Sequence, residues 1–475
     1  MSADKDVKFS LKVMTNKLRT KVLFAEADSG FVDVLISFLT LPLGTIVKVL
    51  KKRYGDDKEA AVDIGSLTSL YNGLANLDSV HFWTEGCKEV LLNPRSSFEA
   101  KCLNLKIDIS ESQPTEHFIC KTLNCTRTKI SCLSVYYDSL MCVICGKTRT
   151  REAGEKVAKA AADGGGVFTV NSDSFIISDD LKIFPTTKGF FQTFNILGIN
   201  DADVGDTMIV NFGFNEIMDL LEGSFTSRTP LSDIIFNKRQ VDDFEPEILS
   251  HEIVKESTTN SKKMILKVIS LKSNNKILFA QAQEDFIDFL CSLMAIPLGG
   301  VECLLGGNTC LKSIDNLYMS VADLNSDKYM VTVDISNKLM KPKLRHGYIS
   351  GNPILPLSEE SVSQTYFVHS GCCYNYQASL RSVKFVKGQG KYVRGPRMYN
   401  ISDDLTVTPF DMFSTISTLK GLKIPMSDVK ELELEIGVEE GLSILRACLT
   451  SASALTNGLK IDHISGLYTN ITEYT

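Results

Sequence analysis

An apolar strand followed by an amphipathic helix is the clearest hydrophobic pattern in the chain. Residues 22–24 form an apolar run of strand length, and apolar residues then recur at the spacing of one helix face at Phe31, Val34, Leu35, Phe38 and Leu39. Asp28 and Ser29 precede this face and are suitable N-cap residues. Pro42 disfavours helical geometry at the residue before it. The pattern therefore predicts a strand and then a helix that ends near Thr40.

The same pattern returns 255 residues later in the chain. Ten of the 21 residues from Phe24 to Gly44 are identical in the stretch from Phe279 to Gly299. Duplication explains repetition at this level better than chance does. Two fainter strand–helix patterns, at residues 209–231 and 434–455, match each other at a spacing of 224 residues. We therefore predict two homologous halves with four strand–helix units, although any strand followed by an apolar helix resembles the fainter copies.

The repeats set the predicted domain boundaries. Residues 1–241 form the first half, residues 242–260 an acidic linker, and residues 261–475 the second half. Each half is long enough to bury a core. Residues 7–27 read as a hairpin, and residues 84–110 read as a strand, an Asn-Pro turn and a second strand. The predicted fold class is α+β, with strand–helix units in each of the two homologous halves.

Cysteines carry the strongest chemical signal. Two pairs are separated by sixteen residues, and Gly146 follows the second pair. Such pairs can place four thiolates around Zn²⁺ in a tetrahedron, and a glycine lets backbone N–H groups approach the sulfurs. We therefore predict a zinc-ribbon-like insertion at residues 117–147 with one structural zinc. The predicted ligands are Cys120, Cys125, Cys142 and Cys145.

Two departures from a regular ribbon leave questions open. The first cysteine pair has a wide gap, so Cys132 could replace Cys125 as a ligand. The matching place in the second half carries His369, Cys372 and Cys373, and no later cysteine pair follows. We therefore expect the second half to have lost its metal site.

The overall charge excludes few classes of binding partner, but two stretches of the chain are locally basic. A net charge of −6 gives no global reason to expect nucleic acid or an anionic membrane as partner. Residues 121–159 and 381–397 are locally basic, and Phe385 and Tyr392 lie among the basic residues of the second stretch. This combination is typical of surfaces that bind single-stranded nucleic acid, and a solvated hairpin face is the alternative.

Targeting signals and cysteine usage favour an intracellular protein. The N-terminal residues lack the basic start, apolar centre and cleavage site of a secretory signal. Thirteen cysteines without such a signal indicate reduced thiols, so we expect a cytoplasmic location, or a nuclear one. The longest apolar run, at residues 31–47, contains Asp33 and Pro42, so we expect no membrane span.

The search for catalytic motifs gives only weak candidates. The sequence ISDDL occurs at Ile177–Leu181 and again at Ile401–Leu405. Adjacent carboxylates could bind a metal or act as acid and base, but in turns they usually accept backbone hydrogen bonds, which favours a structural role. Neither HExxH nor GxSxG occurs, which lowers the expectation of an enzyme.

Several of these motifs together resemble one known family. FAEADSGFVDVLISFLTLPLG, SLYNGLANL, CxxCGK, ISDDL and LLEGSFTSRTPLSD are similar to the plant family catalogued as domain of unknown function 674. The resemblance covers nearly the whole chain, as tandem copies. It implies a plant source and no established activity. The second cysteine pair of the family usually reads CPxCG, and Val143 replaces the proline here without removing a ligand.

The sequence therefore favours a non-catalytic interaction or scaffold protein with one structural zinc and an unknown protein partner. The first alternative is a protein that binds nucleic acid or another anion through its basic hairpins. The second alternative is an enzyme whose site has no recognised motif.

Overall fold

The structure is a computed structural model of the chain. It describes residues 7–55, 62–83, 85–110, 117–120, 122, 145–147, 149–153, 166–171, 174–200, 203–237, 263–345, 348–349, 353–359, 365–370, 374–379, 391–460 and 468–473. The predicted linker at residues 242–260 lies outside these ranges, so the domain boundaries stay a prediction.

The two halves contain a similar succession of helices and strands; among the described residues, the first half has one more helix before its hairpin and the second half has one more strand at its end. Those of the first half are β1 (Phe9–Asn16), β2 (Val22–Asp28), α1 (Ser29–Ser37), α2 (Leu43–Tyr54), α3 (Leu67–Asn76), α4 (Glu85–Leu92), α5 (Glu99–Cys102), β3 (His117–Cys120), β4 (Arg149–Ala153), β5 (Ser174–Ser178), β6 (Ile183–Pro185), α6 (Phe190–Leu197), β7 (Val204–Phe212), α7 (Phe214–Thr226) and α8 (Pro230–Ile235). Those of the second half are β8 (Met264–Leu271), β9 (Ile277–Gln283), α9 (Glu284–Leu293), α10 (Leu298–Leu304), α11 (Lys312–Ser326), α12 (Val333–Met340), β10 (Thr365–Ser370), β11 (Tyr374–Ser379), β12 (Met398–Ser402), β13 (Val407–Pro409), α13 (Met412–Gly421), β14 (Val429–Ile436), α14 (Val438–Thr450), α15 (Ala454–Leu459) and β15 (Tyr468–Glu473).

Each half builds one antiparallel sheet with the same strand order. The first sheet runs β6-β5-β2-β1-β7, and the second runs β13-β12-β9-β8-β14-β15. The first five positions correspond one to one, while β15 adds a sixth strand beside β14. In the described part of the first half, β7 has no outer neighbour and ends its sheet. The α+β class with two similar halves is therefore confirmed.

All four predicted units are a strand followed by a helix. They are β2–α1, β9–α9, β7–α7 and β14–α14. In the first unit, the Asp28 carboxylate accepts a hydrogen bond from the Phe31 backbone N–H at 2.8 Å, so Asp28 is the N-cap. The α-helix ends at Ser37, and a 3₁₀ turn at Phe38–Thr40 completes it, as the position of Pro42 predicted.

The prediction of two strands at residues 84–110 is wrong. Glu85–Leu92 and Glu99–Cys102 are helices. Cys87, Val90 and Leu91 are fully buried and lie at helical spacing, so a single helix face contacts the core. The predicted break is nevertheless in the right place, because α4 ends just before the Asn-Pro pair.

The two halves meet at their Pro-Leu-Gly turns. The Leu43 N–H donates to the Ile296 carbonyl at 3.0 Å, and the Leu298 N–H donates to the Leu41 carbonyl at 2.9 Å. Leu43 and Leu298 are equivalent residues, and so are Leu41 and Ile296. The contact is therefore reciprocal, as at the interface of a symmetric dimer, and it implies an approximate two-fold relation between the halves.

Each half also places a helix on the sheet of the other. On α11, the Asn316 side chain donates to the Asp180 carbonyl at 2.8 Å, and the Ser320 hydroxyl accepts from the Ile183 N–H at 2.9 Å. On α3, Gly73 approaches β13 so closely that a Cβ would lie 2.9 Å from the Val407 nitrogen. Buried apolar residues of both halves accordingly form one continuous core.

None of the helices in the described ranges has the length and apolar character needed to cross a membrane.

Candidate functional site

The cysteine module is described only at its base. Cys120 ends β3, which pairs with β4, and Cys145 lies where the chain returns toward β4. The Cys145 sulfur is 3.8 Å from the Thr122 hydroxyl oxygen, so the first and last predicted ligands lie in neighbouring segments. Gly146 has a φ of +67°, the left-handed conformation that a glycine adopts without strain.

The remaining parts of the predicted zinc site lie outside the described residues. These are Cys125 and Cys142, together with the alternative ligand Cys132. Within the described residues, no group of three or more His, Cys, Asp or Glu side chains could hold a metal ion. The four-cysteine zinc site therefore stays a prediction.

A hairpin occupies the corresponding place in the second half. Strands β10 and β11 pair antiparallel, with His369 opposite Asn375. Cys372 and Cys373 come between these two strands in the sequence and lie outside the described residues. The expected loss of the second metal site also stays a prediction.

A buried aspartate in each half fixes the segment that follows these hairpins. Asp33 accepts hydrogen bonds from the backbone N–H groups of residues 167–169 at 2.5 to 3.1 Å, and from the Thr169 hydroxyl at 2.8 Å. Asp288 accepts from the N–H groups of Tyr392 and Val393 at 2.9 and 3.0 Å. Burial raises the pKa of Asp33 although these bonds lower it. No motif in the sequence indicated this role for the two aspartates. Their occurrence at equivalent positions of the duplicated stretch could have indicated that both are structurally important.

The ISDDL motifs have the structural role that was predicted. In the first half, Asp179 accepts from the Ser232 N–H at 2.8 Å and from its hydroxyl at 2.7 Å. In the second half, Asp403 accepts from the Thr456 N–H at 2.8 Å and from its hydroxyl at 3.0 Å. Each motif therefore joins its sheet to the short helix α8 or α15.

Burial also perturbs the pKa of Glu302, whose carboxyl group lies close to that of Asp315. The Thr309 hydroxyl oxygen lies 3.0 Å from a carboxylate oxygen of Glu302 and 2.6 Å from one of Asp315, so it can donate a hydrogen bond to either. Burial, followed by the neighbouring Asp315, raises the pKa of Glu302 far above its ordinary value. Glu302 is fully buried, so a substrate has no access to it in this conformation. The pair is a structural element of the second half.

The described basic residues of the stretch at 381–397 have partners within the chain. Lys391 forms an ion pair with Asp285 and lies 3.5 Å from a carboxylate oxygen of Glu284. The Arg394 guanidinium lies over the Trp83 ring, 5.9 Å from its centre. These contacts leave fewer free charges for a phosphate backbone than the sequence indicated. Arg397 contacts a ring nitrogen of His81 at 3.2 Å, and the remaining three basic residues of the stretch, Arg381, Lys384 and Lys387, lie outside the described residues.

Large apolar side chains are exposed at the same place in both halves. At the start of α6, Phe190 and Phe191 have exposed fractions of 62% and 81%. At the start of α13, Met412 and Phe413 have exposed fractions of 57% and 81%. Both helices lie on the face of their sheet that points away from the shared core. We call these two pairs the apolar pairs.

Beneath α6 lies a cavity of about 430 Å³ that is open to solvent. It lies between the helix and the outer face of the first sheet. Its lining is mainly apolar and comprises Met14, Phe24, Ile176, Thr186, Gly189, Phe190, Thr193, Phe194 and Val204. This cavity could not be predicted from the sequence, because it depends on how closely a helix approaches a sheet, which leaves no local pattern.

Comparison with known proteins gives a match to a family of unknown function. The sequence model of the family described as "Protein of unknown function (DUF674)" matches residues 5–439. The chain belongs to the DUF674 family. The match extends over the cysteine module, both ISDDL motifs, the first sheet and all strands of the second sheet except β15 of this DUF674 protein. No curated protein and no solved structure matches the chain.

Asp179 should make the stability of the DUF674 protein depend on pH. Burial raises the pKa of this carboxyl to about 6 in the folded chain, whereas an unfolded chain has about 3.9. The folded state therefore binds a proton first as the pH falls. The contribution is fully present below about pH 4 and is lost as the pH rises through about 6. Its full size is roughly 2 to 3 kcal/mol.

Asp179→Asn removes this titration. Urea unfolding of the wild type and the variant between pH 7.5 and pH 4.5 should show that the wild type gains free energy of unfolding relative to the variant as the pH falls. Parallel curves for the two proteins would contradict the assignment.

Proposed function

We propose that this DUF674 protein is a non-catalytic, intracellular scaffold that binds partner proteins through the two apolar pairs. The observation that carries the proposal is that both halves expose two large apolar side chains at the start of the outer helix. Burying one such side chain is worth about 1.5 to 3 kcal/mol. Their exposure in both halves after duplication therefore favours a surface that a partner covers.

The chemistry of the apolar pairs defines the partner. Phe191 and Phe413 each project more than four-fifths of their surface into solvent, so each can insert into an apolar pocket of another protein. Aromatic side chains in such pockets contribute a large share of the binding energy at protein interfaces. Because the halves have an approximate two-fold relation, one chain presents two equivalent sites. We propose that it holds two copies of one partner.

Variants of the apolar pairs test this function. Partners are first captured from the source tissue on the wild-type protein, on Phe191→Ser/Phe413→Ser and on the control Leu18→Ser. Leu18 is also 80% exposed, but it lies in the turn between β1 and β2. A partner of the apolar pairs should be retained by the wild type and the control and lost from the double variant.

The stoichiometry provides a sharper result. Native mass spectrometry of the purified complex should give two partner molecules per chain, and one for either single variant, with each site about tenfold weaker or more when its phenylalanine is lost. Retention of the same partners by the double variant would contradict the proposal. Self-association that only the double variant abolishes would instead assign the surface to a second copy of the chain.

We further propose that Cys120, Cys125, Cys142 and Cys145 hold one structural zinc. Two observations support this: the Thr122–Cys145 contact that brings the two ends of the module together, and the left-handed Gly146 after the second pair. Four cysteine ligands would leave no open coordination position, so the metal would stabilise the module and take no part in chemistry.

Metal analysis of the purified, reduced protein tests the site. It should give about one zinc per chain, and Cys142→Ser and Cys145→Ser should each lose the metal and increase proteolysis within residues 117–147. The matched control Cys291→Ser removes a buried thiol from α9 and should keep the zinc. A metal-free wild-type protein would contradict the proposal.

The cellular setting completes the proposal. Cys102, Cys291 and Cys448 are buried thiols without disulfide partners, which is consistent with a reducing compartment. We propose a cytoplasmic location, with the nucleus as the alternative, in a plant source.

A further inference from the structure

The space between the outer helix and the sheet differs between the two halves. In the first half, Met14 pairs with Phe24 across β1 and β2, and both line the cavity beneath α6. In the second half, Ile269 pairs with Phe279 in the same register across β8 and β9. These two residues pack with Leu419 of α13 and Val429 of β14 into a closed apolar cluster, each no more than 8% exposed. The second half fills with its own side chains a space that the first half leaves open.

An open space of this size has an energetic cost. The apolar lining keeps part of its surface in contact with water and lacks the packing contacts that a close-packed interior provides. The closed cluster of the second half demonstrates that this scaffold can pack the region tightly. Because duplication began from one sequence, the difference arose in one of the halves. A ligand that occupies the cavity would restore the missing contacts.

We propose that the cavity beneath α6 binds a small, uncharged and mainly apolar molecule that contains an aromatic ring. The volume of about 430 Å³ lies in the range of small-molecule sites. No lining residue is charged, so an ionised ligand would lose its hydration without a compensating partner. Phe24, Phe190 and Phe194 offer ring faces, and Thr193 supplies a hydroxyl group for one hydrogen bond.

The ligand has an entry route beside α6. Phe190 lines the cavity and is also 62% exposed, so it lies at the rim. Thr193 is almost fully buried on the inner side of the same helix. A molecule that enters past Phe190 therefore lies between α6 and the sheet. The cavity shares Phe190 with the apolar pair proposed above as a partner surface, whereas Phe191 and Phe413 do not line it.

The uncharged fluorescent probe N-phenyl-1-naphthylamine tests the proposal on the full chain. Titration should show one saturable site per chain. The anionic analogue 1-anilinonaphthalene-8-sulfonate should bind about tenfold more weakly or less, because the cavity offers no cationic partner for its sulfonate. Equal or tighter binding of the anionic probe would overturn the assignment of an uncharged ligand.

A matched pair of variants localises the site. Thr193→Phe places a ring in the cavity and should weaken the uncharged probe about tenfold or more. Thr415→Phe adds the same ring at the equivalent buried position of α13, away from the cavity, and should leave probe binding unchanged. Unchanged binding by Thr193→Phe, or absence of saturable binding by the wild type, would overturn the proposal.

A measurement on the wild-type chain avoids dependence on the folding of variants. In spectra of protein labelled with ¹³C at the methionine methyl groups, the probe should shift the signal of Met14, which lines the cavity, and leave that of Met412 in place. The Met14 signal is assigned by its loss in Met14→Leu. A shift of Met412 without a shift of Met14 would place the probe on the outer surface and overturn the inference.

Discussion

The reciprocal contact between the Pro-Leu-Gly turns is the constraint on which the rest of the fold depends. Two backbone hydrogen bonds of 2.9 and 3.0 Å join Leu41 and Leu43 to Ile296 and Leu298. They set the halves so close together that a Cβ on Gly44 would lie 3.2 Å from the Met294 carbonyl oxygen of the other half. With the turns fixed in this way, α3 reaches the second sheet and α11 reaches the first. The shared core follows from this exchange, because each sheet is covered partly by a helix of the other half.

Within this common frame, the outer surfaces of the halves have diverged. Leu432 and Leu434 are buried in β14, which has β15 beside it. In β7, Met208 occupies the position equivalent to Leu432 and is 38% exposed. The space beneath the outer helix is a cavity in the first half and a packed cluster in the second. The apolar pairs at the start of α6 and α13 are retained in both. The shared core thus maintains the same fold in both halves. We assign function to the surfaces outside this core, namely the apolar pairs that both halves retain and the cavity of the first half.

Local patterns in the sequence were sufficient to predict the repeated strand–helix units, but they were not sufficient to predict how these units pack against one another. Helix α1 could be predicted because Phe31, Leu35 and Phe38 lie at helical spacing within a few residues. Helix α4 was mistaken for a strand, although Cys87, Val90 and Leu91 have helical spacing, because the run is short and precedes a turn. The exchange between halves joins residues far apart in the chain, 136 positions for Asn316 and Asp180, and leaves no local signature. The cavity depends on helix placement, and the buried aspartates Asp33 and Asp288 could have been found from their repetition alone.

The measurement that tests this account most directly is the folding of the separated halves. Residues 1–241 and 261–475 are produced alone and together, and their unfolding in urea is followed by near-ultraviolet circular dichroism. Because each half lacks the helix that covers its sheet, we predict that neither fragment alone shows a cooperative transition, whereas the mixture forms a one-to-one complex that does. A cooperative transition of either fragment alone, at the urea midpoint of the full chain, would contradict the claim that the two halves complete one another.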